Sequence, residues 1–151
     1  MSPTLAVRPT TDLVAVAWLK GVAGVPSGSV ATTVPSDNST WAASGFVQVT
    51  TVGGSPEPHM PLRVPVVSVD CWAVNPDSGR PPWGKASTLA ELVRDGTLAA
   101  DVGRTVALPV GGLSARVLSV YALGEARRIL DDDASYARYS LDISLAWVAV
   151  P

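Results

Sequence analysis

The segment from Tyr136 to Val150 constrains the fold more than any other. Tyr139, Leu141, Ile143, Leu145, Trp147 and Ala149 alternate there with Ser140, Asp142 and Ser144. Period-two alternation sends one set of side chains to a buried face of a strand and the other set to the opposite face. The run is long against a typical strand of about five or six residues. It needs a sheet around it, so the rest of the chain must supply neighbours. Leu113–Leu123 alternates well enough to be the nearest of these. The two strands are expected to pair as a long C-terminal β-hairpin, with Glu125 to Asp133 at its tip.

Local signals give the other elements. Thr10 or Thr11 can cap a first helix, with Asp12 set against the positive end of its dipole. Apolar residues run nearly all the way round this helix, Thr11–Gly21, which predicts burial. Gly21 and Gly24 stop it, and Pro26 lies beyond. Residues 25–44 are rich in Ser, Thr, Gly and Pro and read as loop, with one short strand near Ser29–Val34. Phe46–Val52 is β-branched and runs into Gly53-Gly54, a strand entering a turn. Three prolines keep the 53–62 segment irregular. Val64–Val74 is the next strand, and Pro65 near its start argues for an edge position or a bend. Asn75-Pro76-Asp77-Ser78-Gly79 opens a loop over 75–86. Thr88 and Glu91 then have capping-box spacing. Leu89, Leu92 and Val93 give this second helix an apolar stripe that fades near Gly96. The expectation is one α+β domain over residues 1–151, a mainly antiparallel mixed β-sheet flanked by two helices.

Composition narrows the function. The chain has 151 residues, 16% of them charged, with a net charge of −2. A nucleic-acid-binding surface needs a basic excess to neutralise phosphates, and this chain has none. A charge-poor chain exposes neutral or apolar surface, and such surface favours a partner, self-assembly included. The start, Met1-Ser2-Pro3-Thr4-Leu5, lacks the basic and apolar regions of a signal peptide. The longest apolar run, Leu13–Leu19, is far short of the roughly 18 to 20 residues that cross a bilayer. Synthesis in the cytoplasm with no membrane partner is expected.

Candidate chemistry is sparse. One cysteine, Cys71, and one histidine, His59, are the only thiol–base pair available. Cys71 falls inside a strand, where a free cysteine behaves as a small apolar side chain. His59 falls in a proline-rich loop. Asp131-Asp132-Asp133 can be a solvated hairpin tip, a cation ligand set or an electrostatic contact, with Arg127 and Arg128 close by for charge compensation. Gly53-Gly54 and Gly111-Gly112 are turn glycines, because neither sits between a strand and a helix as a phosphate loop does. Trp18 and Trp147 lie in strongly apolar segments and read as core. Trp72 shares a face with Ser68 and Asp70 and is expected to be partly exposed. Trp41 and Trp83 lie among Ser, Pro and Gly, where a tryptophan either folds back or anchors an interface.

In its order of segments the chain resembles the tail terminator proteins of long-tailed (siphovirus-like) bacteriophages. An early helix leads to Val30-Ala31-Thr32-Thr33-Val34-Pro35 and then to a strand, Phe46–Val52, closed by Gly53-Gly54. The strand Val66-Val67-Ser68-Val69-Asp70-Cys71-Trp72-Ala73 carries the family's apolar-Asp-x-Trp-Ala pattern. A helix of the Ala86–Val93 kind follows, and the chain closes with Tyr136-Ala137-Arg138-Tyr139-Ser140-Leu141-Asp142. The resemblance implies a structural virion protein, not an enzyme, with no cofactor and no metal. It implies a six-membered ring on the head-proximal end of the tail tube, at the neck of the virion. There the ring stops tube polymerisation and joins the head. Implied partners are further copies of the chain, the tail tube protein and the head–tail connector or head completion protein, with DNA only passing through the lumen. Another neck protein or a minor tail protein is the alternative. A ring uses heterologous contacts, for which Trp41, Trp83, Arg127, Arg128, Asp131, Asp132 and Asp133 are the candidates.

Overall fold

The computed structural model describes residues 8–55, 57–130 and 135–150. Helix α1 spans Thr11–Lys20, and its cap is Thr10, whose Oγ1 accepts from the Leu13 N–H at 3.3 Å. One short strand was expected near Ser29–Val34, and β1 is Val30–Ala31. Strand β2 covers Phe46–Gly54 and β3 covers Pro65–Val74. Helix α2 runs Trp83–Thr97. Strands β4 (Arg104–Ala107), β5 (Ser114–Ala122), β6 (Arg127–Ile129) and β7 (Tyr136–Val150) complete the chain.

Among the described residues, these strands form one seven-stranded sheet in the order β1-β2-β3-β7-β5-β4, with β6 also against β7. Only β1 and β2 run parallel. The fold is therefore α+β with a mainly antiparallel mixed sheet, as the sequence predicts. The long strand β7 is its centre: β3 pairs with Tyr136–Ser144 on one side, β5 and β6 with the other.

The alternation in β7 decides which face is buried. Leu141, Ile143, Leu145 and Trp147 are at most 1% exposed. They share one apolar cluster with Val67, Val69 and Cys71 of β3 and with both helices, through Val14, Trp18 and Leu19 of α1 and Leu89, Ala90 and Val93 of α2. Both helices thus cover the same face, and the crevice between helices and sheet is filled with packed side chains.

Four expectations need correction. Helix α2 begins at Trp83, not at Thr88. Thr88 lies inside it, where its Oγ1 donates to the Gly84 carbonyl at 2.8 Å instead of capping, the back-bonding a mid-helix threonine adopts. Pro82 precedes the first turn, where a proline's missing N–H costs nothing, so the 75–86 loop is shorter than expected. Pro65 marks no edge: β3 lies between β2 and β7, and the proline is tolerated as its first residue. Gly54, at φ +112, lets the end of β2 pass close to it, since a Cβ there would stand 2.6 Å from the Pro65 Cα. The hairpin tip is also smaller than expected, because Arg127–Ile129 pairs with Arg138–Ser140 as β6. Finally, β4 has no counterpart in the sequence reading. Trp18 holds it, donating Nε1–H to the Val102 carbonyl at 3.0 Å, while the Arg104 guanidinium donates to the Trp18 carbonyl and sits 5.2 Å from its ring centroid.

Candidate assembly interface

The helix-free face of the sheet collects the polar half of the alternation. Cross-strand partners share a face, so the register places Gln48, Asp70 and Ser140 in one row and Thr50, Ser68 and Asp142 in the next. These residues bond across the strands. Trp72 donates Nε1–H to Gln48 Oε1 at 3.1 Å, Ser68 and Ser140 hydroxyls lie 3.3 Å apart, and Arg127 reaches Asp142 at 3.7 Å.

The centre of this face is an ion pair. Arg138 donates from its NH2 to Asp70 Oδ2 at 3.1 Å, with Asp70 only 4% exposed. The guanidinium carbon also lies 5.0 Å from the Trp72 ring centroid, within cation–π range. Asp70 Oδ1 and Arg138 Nε are both buried and lack another hydrogen-bond partner. They are the two atoms that complete a side-on bidentate fork. A small rotation of either group would satisfy both, so the pair needs no ligand to explain it.

At one end of the same face, Trp41 folds inward. It is 2% exposed, meets Phe46 edge-on at 5.8 Å and stands 6.0 Å from Tyr136, whose hydroxyl accepts from Asn38. Trp41 is therefore a core residue of a small second cluster and is withdrawn as a contact. Trp83 is half-buried in the first turn of α2, not in a loop. Its ring meets Tyr139 edge-on at 6.2 Å and carries the Arg128 guanidinium 3.9 Å from its centroid. Arg127 and Arg128 are exposed on β6, and Asp131, Asp132 and Asp133 lie outside the described residues.

The thiol–base pair does not form a site. Cys71 is fully buried on the helix-covered face, and desolvation, helped by the neighbouring Asp70 charge, pushes its thiol up to about 12. His59 is exposed in its loop, where its backbone N–H donates to Glu57 at 3.3 Å. Trp72 is half-buried, as its polar neighbours imply.

Sequence reasoning missed the free strand edges. Strand β1 covers β2 only at Val47 and Gln48, and β4 covers β5 only from Ser114 to Val117. Among the described residues no strand lies outside 49–54 of β2 or 118–122 of β5. Leu118 and Tyr121 on β5, and Leu123 just past its end, are large apolar side chains left exposed there. No family model matches the chain, and no curated protein matches it.

Proposed function

We propose that this chain is a structural virion protein, a phage tail terminator: a ring that caps the head-proximal end of the tail tube, halts its polymerisation and presents the head-joining surface. One observation carries the reading. The two most distinctive pieces of the resemblance, Val66–Ala73 and Tyr136–Asp142, are far apart in sequence and lie side by side as β3 and β7. Their distinctive residues form one constellation, with Arg138 bonded to Asp70 and stacked over Trp72. A segment order that arose by coincidence gives no reason for those three side chains to meet.

The physical character of the surface supports the same reading. A ring contact of standard size buries about 800 Å² per partner, and low charge with exposed apolar residues along one strand suits it. Arg127 and Arg128, both exposed, remain candidates for subunit or tube contacts. Native mass spectrometry over a concentration series tests self-assembly, with a discrete six-subunit species expected. Pull-down against tube protein and against portal tests the location: capture by the tube is expected, and capture by portal alone would replace the terminator with a connector subunit.

A further inference from the structure

We infer that copies of this chain join head to tail through their sheet edges, the free edge of β5 in one copy pairing with the free edge of β2 in the next. The inference rests on the ring reading and names the surfaces that would close it.

Three observations lead there. Both edges expose backbone groups: 49–54 of β2 and 118–122 of β5 each have a sheet partner on one side only. An unpaired edge is normally blunted by charges or proline. The sequences here, Val49-Thr50-Thr51-Val52-Gly53-Gly54 and Leu118-Ser119-Val120-Tyr121-Ala122, contain neither. Each edge carries one register shift, at Thr51/Gly53 and at Val117/Ser119, which leaves 49–51 and 119–122 as regular free edge. Large apolar side chains are also concentrated at these edges. Of the eight that are exposed among the described residues, Val52 lies on the first edge, Leu118 and Tyr121 lie on the second, and Leu123 follows directly after it.

The occupant is a second copy because the two edges complement each other. They stand on opposite sides of one sheet, so each copy offers one edge to each neighbour, which is the heterologous contact that closes rings. Direction agrees as well. Strands β2, β3, β7 and β5 alternate in direction, so β2 and β5 are opposed. A rotation about a ring axis keeps every copy in the same sense, so the joined edges run antiparallel, the stronger pairing.

Cysteine cross-linking tests this. Thr50, Ser119 and Tyr121 are exposed and lie on the helix-free face, and native Cys71 is buried out of reach of oxidants. The full-length double variants T50C/S119C and T50C/Y121C, sampling two registers, are oxidised with copper phenanthroline, alongside the three single variants. Head-to-tail edges predict a ladder of covalent multimers from at least one double variant and monomers from every single variant. Covalent dimers from a single variant would mean like edges meet like, and would overturn the inference. Monomers from both double variants would overturn it too. Wild-type native mass spectra then separate the causes: a discrete multimer keeps the ring and rejects its edges, and a monomer removes self-assembly with them.

Discussion

Leu145 and Cys71 both point to the helix-covered face, and each allows a prediction. Leu145 is 0% exposed, so Leu145→Ala should cost roughly 2–5 kcal/mol, the range for a buried large-to-small change. Chemical denaturation measures it, and a loss below about 0.5 kcal/mol would mean the register of β7 is inverted. Cys71 has its thiol raised from the ordinary 9.0 to about 12, first by desolvation and then by Asp70. The folded state holds this proton more tightly than the unfolded one. Its contribution to stability is therefore complete below about pH 9 and is lost as pH rises towards 12. At pH 8 a thiol reagent should label the native protein at least about a thousandfold more slowly than the unfolded chain, because a central strand opens only with the domain. Across the sheet, removing Arg138 leaves the buried Asp70 carboxylate without its counter-charge and should cost about 3–5 kcal/mol. A double-mutant cycle would isolate the coupling. Alternation made the faces of β7 legible in the sequence, and the half-exposed position of Trp72 on β3 as well. It could not place Trp41, whose packing depends on Phe46 and on Tyr136 from the far end of the chain.

Elements were legible where their signals were long. The ends of β7 match the sequence reading at both residues, and Thr10 caps α1 as one of two expected candidates. Strand β4 was invisible because four residues with one buried side chain, Val106, carry no period. It exists through tertiary bonds to Trp18. The start of α2 was misplaced because a capping-box spacing at Thr88 outweighed the prolines before Trp83. Two glycines of this helix make its packing testable. Gly84 has open space where a Cβ would go, so Gly84→Ala should stabilise by up to about 1 kcal/mol, the helix-propensity difference. A Cβ on Gly96 would stand 2.7 Å from Val22 Cγ1. There the same substitution should destabilise, since the clash between α2 and the Val22 turn exceeds the propensity gain. Thermal unfolding of the two variants should shift in opposite directions.

Among the described residues both helices cover one face of the sheet, and apolar side chains gather along an unpaired edge of β5. Composition anticipated a need for partners, but it could not say where, because free edges arise from unequal strand lengths that no local pattern encodes. We propose that this chain ends a tube. The most direct test is the length distribution of tail tubes polymerised from purified tube protein with and without the chain, read by electron microscopy. Added chain is expected to halt growth and to appear as a ring at one end of each tube. Tubes of unchanged length with bare ends would contradict it.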